Sequence, residues 1–279
     1  MQKGLKNMVN IKPVTNHRER EKGVLVYPVY SRRAGGLSVG INLFPDKKSC
    51  PFDCPYCEVF PFSSSAIFSV EQMEQDLRYV ITASLEQNII VKDICFSGNG
   101  EPTLSPFFGE ALKLAENIRA QMVPSSGLVV ITNGAGLLQP QIFSLLCDAA
   151  ANPSLDIWLK LDAGTPEWYQ KMNRSSLPFE NLTEKKKEFV SCAPVTIQTM
   201  LCSVEGEQPP EIEVKAWEDL VCELAAKGIR KVQIYGKARC APQDPLASQL
   251  PAEYLEKRAA SLRSAFAAGK IFTPVEIYL

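Results

Sequence analysis

The sequence predicts an α/β protein built as a partial (βα)6 barrel, and three observations lead there. Six short apolar runs of β character recur along the chain, and longer stretches with helical periodicity separate them. Hydrophobic residues make up 46% of the 279 positions, enough for one large core without staples. Six units are too few for the eight-fold ring of a closed barrel, so an open sheet is expected.

In chain order, residues 1–37 are charged and irregular and are read as an N-terminal extension. The first strand is expected over 38–43, followed by a loop and a helix over 70–87. Strand 93–97 leads to helix 106–121, strand 128–132 to helix 139–149, and strand 156–161 to two helical pieces, 166–172 and 180–190. Strand 195–201 precedes helix 212–227, and strand 231–235 is the sixth. The Pro-rich segment 241–251 connects to a closing helix over 252–268. The core is therefore expected over 38–240, with 241–279 as a C-terminal connection and helix packed on it.

Lys plus Arg number 30 against 31 Asp plus Glu, so no global positive potential is available to attract a polyanion, and a nucleic-acid substrate would need a local basic patch. The single histidine, His17, lies in the charged stretch TNHRERE and is read as a solvated surface residue, which leaves Ser-His, Cys-His and His-based zinc chemistry almost no material. Nine cysteines, an odd count in a long chain whose first residues lack an apolar leader, indicate a reducing cytoplasm, not a secreted disulfide framework. No run approaches the roughly 18 to 20 apolar residues that span a bilayer, so a soluble protein is expected.

After the first strand comes Cys50-Pro-Phe-Asp-Cys54-Pro-Tyr-Cys57, three thiols within one short loop. Thiolates suit zinc or iron-sulfur clusters. A structural zinc site wants four ligands, usually as two separated pairs, and no second pair is present. A cluster on three cysteines leaves one iron open to a ligand. A zinc knuckle completed by Cys95 or Cys240 is the alternative.

The second strand runs into Ser97-Gly98-Asn99-Gly100-Glu101-Pro102-Thr103, where two glycines allow close backbone approach and Glu101 can accept a charge-assisted hydrogen bond from an ammonium. Thr132-Asn133 ends the third strand. On the fourth, period-two alternation sends Ile157, Leu159 and Leu161 toward helices and Trp158, Lys160 and Asp162 toward the interior of the sheet. The same rule places Gln198, Gln233 and Tyr235 on one face of the last two strands.

The spacing Cys50-x3-Cys54-x2-Cys57, with Tyr56 before the third cysteine, resembles the signature of the radical S-adenosylmethionine (SAM) enzymes, and Gly98 to Glu101 resembles their GGE turn with Asn99 inserted. The resemblance implies a partial barrel of radical SAM type and a 4Fe-4S cluster on the three cysteines, whose open iron chelates the amino and carboxylate groups of S-adenosyl-L-methionine. Tyr56, Gly98, Asn99, Gly100, Glu101, Thr132, Asn133, Lys160, Gln198 and Tyr235 are then the candidate cofactor contacts, and Lys160 and Asp162 the candidate catalytic residues. It also implies an external electron donor, flavodoxin- or ferredoxin-like.

Tyr30-Ser31-Arg32-Arg33, residues 37–42, GNGEPTL, ITNG and LDAG together resemble a wyosine-synthase-like branch of that superfamily, over residues 27–180. Wyosine synthases act on a tRNA guanine and carry a second cluster on cysteines before the radical SAM motif. This chain has no cysteine before Cys50, so a small-molecule or peptide substrate is preferred to RNA. Arg32 and Arg33 are candidates for binding a phosphate or carboxylate, or for bridging to the core. A non-catalytic iron-sulfur or zinc protein is the reading from a different class. Cys95, Cys147, Cys192, Cys202, Cys222 and Cys240 are read mostly as inert buried thiols, with an auxiliary cluster of Cys192, Cys202 and Cys240 as the alternative.

Overall fold

The computed structural model describes residues 23–243 and 246–279. Among them, the strands are β1 (Val26–Ser31), β2 (Gly36–Ile41), β3 (Val91–Phe96), β4 (Gly127–Thr132), β5 (Leu155–Lys160), β6 (Thr196–Val204), β7 (Lys231–Gly236), β8 (Ala247–Gln249) and β9 (Val275–Tyr278). The helices are α1 (Val70–Glu86), α2 (Phe108–Met122), α3 (Pro140–Ala149), α4 (Pro166–Met172), α5 (Phe179–Val190), α6 (Glu211–Ala226) and α7 (Ala252–Ala268). Their starts follow local chemistry. The Ser69 side chain accepts from Gln72 N at 3.1 Å to cap α1, and Thr165 accepts from Trp168 N at 3.3 Å to cap α4 with Pro166 behind it.

The sheet runs in the order β1-β2-β3-β4-β5-β6-β7-β9. Strands β2 to β7 are mutually parallel and adjacent in chain order, the expected six βα units of a curled, open half-barrel. β9 adds in parallel to β7, β1 pairs antiparallel with β2, and the short β8 pairs antiparallel with the far end of β6.

The sequence reading assigned no strand at β1, β8 or β9. β1 carries Pro28, which weakens its β signature and is tolerated because this strand lies at one end of the sheet. β8 and β9 have three and four residues and carry too little period-two pattern to be seen.

Alternation along the parallel strands separates two environments. Ile94 and Phe96, Val130, Ile157 and Leu159, Ile197, Val232 and Ile234 face the helices and share one buried cluster with Met73 and Leu77 of α1, Ile118 of α2 and Leu224 of α6. The opposite residues, Cys95, Trp158, Lys160, Gln198 and Tyr235 among them, face a concave inner surface that carries the polar groups. No helix among the described residues is long and apolar enough to cross a membrane.

Cys147 of α3 and Cys192 after α5 are joined as a disulfide, with Cα atoms 6.1 Å apart. That corrects the reading of these two as inert buried thiols and takes Cys192 out of any cluster with Cys202 and Cys240. Cys202 is buried in β6, whereas Cys240 is exposed.

Candidate active site

One cavity of about 270 Å³ opens at the carboxyl ends of the parallel strands, where such sheets expose loop backbone and helix starts. Cys50, Cys54 and Cys57, Tyr56, Gly98, Gly100, Glu101, Thr132, Asn133, Lys160, Asp162, Gln198 and Tyr235 all line it. Asn99 is the exception among the candidate cofactor contacts. It is buried beneath the turn, donates from its backbone N to Asn42 Oδ1 at 3.0 Å and from Nδ2 to the Phe44 carbonyl at 3.3 Å, and so fastens the turn from behind.

The thiol loop and the glycine turn are joined to each other by backbone. Ser49 N donates to Asn99 O at 3.1 Å and Glu101 N to Ser49 O at 2.8 Å, a parallel bridge that pairs Ser49, the residue before Cys50, with Gly100. A Cβ on Gly100 would stand 1.9 Å from the Ser49 carbonyl oxygen, so only glycine permits this approach.

Glu101, 2% exposed, clamps two strand ends together. Its Oε1 accepts from Thr103 N at 3.2 Å, from Thr103 Oγ1 at 2.6 Å and from Thr132 Oγ1 at 2.6 Å, and its Oε2 accepts from Asn133 N at 2.7 Å. Burial pushes the carboxyl above its ordinary range while these hydrogen bonds pull it back. Oε1 is saturated, and Oε2 keeps room for a further donor.

Asp162 is the hub of the opposite wall. Oδ1 lies 2.9 Å from Lys160 Nζ and accepts from Met200 N at 2.9 Å, and Oδ2 accepts from Tyr56 OH at 2.5 Å and from Asn173 Nδ2 at 3.2 Å. Lys160 also donates to Tyr235 OH and stands over the Tyr56 ring at 5.1 Å. Burial opposes charge on this lysine, but Asp162 and Tyr235 outweigh it and push its pKa up to about 12. Lys160 is thus a fixed cation, and the Asp162 carboxylate is committed to positioning its neighbours.

Asn173 was not singled out from the sequence. It caps the C-terminus of α4, is 3% exposed, and its Nδ2 also reaches Cys54 Sγ at 3.4 Å, while its carbonyl accepts from Asp53 N at 3.0 Å. One buried amide therefore links the thiol loop to Asp162. Asn133 Nδ2 makes the matching contact to Cys50 Sγ at 3.4 Å. No sequence motif marks Asn173, because its role arises only when α4 folds under the loop.

Burial pushes the Cys50 thiol up to about 12, with Glu101 adding to it, and Cys54 up to about 11, with Asp162 adding to it. Thiols in such a setting become ligands once a cation compensates the charge. Among the described residues no group of three or more His, Cys, Asp or Glu side chains stands arranged to hold a single metal ion. A cluster spreads its thiolates over separate iron atoms, so three cysteines on one loop with sulfur-directed amides fit that donor set. A further sign of a missing ligand is Gln198 Oε1, buried on the cavity wall without a hydrogen-bond partner.

No family model matches the chain. A UPF0026 protein of Helicobacter pylori (strain J99 / ATCC 700824) is 30% identical over 121 residues, covering 41% of this chain and 36% of that protein, so the match spans about a third of its relative's length. Among solved structures, SuiB of Streptococcus suis bound to S-adenosylmethionine superposes with a TM-score of 0.64 at 13% identity, over 85% of this chain and 49% of that one. A radical SAM methyltransferase from Sphaerobacter thermophilus gives 0.62 at 14% identity, over 90% and 68%. TYW1 with a lysine-pyruvate adduct bound gives 0.54 at 13% identity, over 81% and 73%. The chain carries the fold of the radical SAM enzymes and, over two fifths of its length, is similar to the UPF0026 proteins.

Proposed function

We propose that this protein is a radical SAM enzyme that cleaves S-adenosyl-L-methionine reductively and abstracts a hydrogen atom from a small-molecule or peptide substrate. The observation that carries the reading is the backbone bridge between Ser49 and Gly100, which puts the three-thiol loop and the Gly98–Glu101 turn on one cavity wall. When bound, a 4Fe-4S cluster would supply an open iron for the methionine end of SAM and the electron that releases a 5′-deoxyadenosyl radical.

This chain's own residues supply position and shielding. Cys50, Cys54 and Cys57 would ligate the cluster, with Asn133 and Asn173 donating toward Cys50 and Cys54 and so favouring the thiolates. The free lone pair on Glu101 Oε2 is available to the methionine ammonium, beside Gly98 and Gly100, which line the same cavity. Lys160 and Tyr56, held by Asp162, and Tyr235, held by Lys160, form the wall that would face the nucleoside. The reducing electron would come from an external flavodoxin- or ferredoxin-like donor.

The direct test is 5′-deoxyadenosine formation by anaerobically reconstituted, dithionite-reduced protein given SAM. Formation in the wild type and none in Cys54→Ala is expected. Equal yields from both would contradict the proposal.

A further inference from the structure

The rim of the same cavity that lies away from the thiols is built from arginines. Arg32 and Arg33 follow β1, and Arg239 follows β7. The three lie close enough that Arg239 and Arg33, after burial, hold the Arg32 guanidinium below its ordinary value. In a chain of net charge -1 this is a local concentration of positive charge.

Two of the cavity's other cations are already matched, Lys160 by Asp162 at 2.9 Å and Arg239 by Glu58 at 2.6 Å. Arg32 donates to the Leu279 carbonyl. Arg33 differs from these. Its guanidinium carbon lies over two rings, 4.8 Å from the Tyr235 centroid and 5.3 Å from that of Trp158. Both rings are themselves fixed, Trp158 by its Nε1 donating to Asp156 at 2.9 Å and Tyr235 by Lys160. No acceptor among the described residues meets the Arg33 N–H groups. The acid that faces it, Asp93, accepts from Ser38 instead.

A guanidinium held over aromatic rings keeps its charge and its N–H fork for a ligand, and such a fork suits a two-oxygen anion. The unpartnered Gln198 Oε1 on the same wall calls for a donor from the ligand.

We propose that Arg33, oriented by Trp158 and Tyr235 and supported by Arg32 and Arg239, anchors a carboxylate or phosphate group of the substrate, and that the same ligand set presents an N–H or O–H to Gln198. This rests on the radical SAM reading for the word substrate. The anion site itself stands on the geometry. It makes the substrate a small organic anion bound by one end at the rim, with its reacting carbon directed toward the thiol wall.

The test is isothermal titration of the full chain, without SAM or reductant, with inorganic phosphate, with glutarate and with neutral glutaramide at constant ionic strength. At least one anion should bind saturably and glutaramide should not. Phosphate alone would identify a phosphate ester, and glutarate alone a carboxylic acid. Arg33→Gln should weaken binding by about tenfold or more. Arg33→Lys, which keeps the charge and loses the fork, should fall between. Lys257→Gln, on an exposed stretch of α7, should bind as the wild type does.

Absence of anion binding, binding undiminished in Arg33→Gln, or equal binding of glutaramide would overturn the proposal. Preferential binding of single-stranded RNA with the same dependence on Arg33 would also overturn it and make the rim a nucleic-acid surface. Anion binding without 5′-deoxyadenosine formation would remove the enzyme reading and leave the anion site. The reverse would remove only the anion site.

Discussion

Gly100→Ala gives the sharpest test of how the cavity wall is assembled. The new Cβ would lie 1.9 Å from the Ser49 carbonyl oxygen and 2.7 Å from its carbonyl carbon, where an unstrained contact needs roughly 3.5 Å. The obstacle is backbone, so no rotamer relieves it, and the loop carrying Ser49 must move by roughly 1.5 Å. That movement breaks the 2.8 Å and 3.1 Å hydrogen bonds joining the two loops. Losing both costs about 1 to 3 kcal/mol, and overpacking adds about 1 to 3 kcal/mol. Ser49 precedes Cys50 directly, so the displacement passes to the first thiol. Gly127→Ala serves as control, because its Cβ would meet nothing nearer than 3.7 Å and should change stability by no more than about 0.5 kcal/mol. The assay is anaerobic urea unfolding together with iron content after reconstitution. Gly100→Ala should lose about 2 to 6 kcal/mol and a large part of its iron. A variant matching Gly127→Ala in both readouts would refute the bridge as the element that positions the thiols.

Glu101→Ala strips the acceptor from four buried donors, and it should lose about 2 kcal/mol or more of stability in urea as well as SAM affinity by equilibrium dialysis. Unchanged stability would show that the clamp between the two strand ends is dispensable. Asn173→Ala removes donors to Cys54 Sγ and Asp162. It should leave iron content near that of the wild type and lower the reduction potential of the reconstituted cluster, since hydrogen bonds to sulfur favour the reduced state. An unmoved potential would limit Asn173 to a structural role. Glu213 is buried behind the site, accepting from Gly164 N at 2.7 Å and Thr165 Oγ1 at 2.6 Å, and burial raises its pKa to about 7. The folded state therefore holds a proton that the unfolded chain releases near pH 4.5. Its contribution to stability is greatest below that pH and falls as pH rises to about 7, by at most roughly 3 kcal/mol. Urea midpoints measured across this window should lose that slope in Glu213→Gln, and an identical slope would rule the residue out.

The six parallel strands and the helices between them were legible because each carries its own periodicity, two for strands and 3.6 for helices, and α4 and α7 fall at the residues the pattern gives. Alternation along 156–162 also separated inward from outward residues correctly, sending Leu159 to the helices and Trp158 and Lys160 to the cavity. β1 and β9 were hidden because edge strands of four to six residues depend on a partner more than on their own pattern. At the site, motif spacing picked out residues that share one cavity, but it could not say which are free to act. Asn99 turned out to be a fastening behind the turn, and Asp162 a saturated hub. Asn173 and the pairing of Cys147 with Cys192 arise from contacts across 119 and 45 residues, which no local pattern encodes.

On the proposed function, Cys50, Cys54 and Cys57 hold a 4Fe-4S cluster with an iron open to SAM. Electron paramagnetic resonance of the anaerobically reconstituted, reduced protein, recorded with and without SAM, tests it most directly. About four iron atoms per chain, a reduced-cluster signal that changes on adding SAM, and no such signal in Cys54→Ala are expected. A full complement of iron whose signal is indifferent to SAM, or a signal that survives Cys54→Ala, would contradict it.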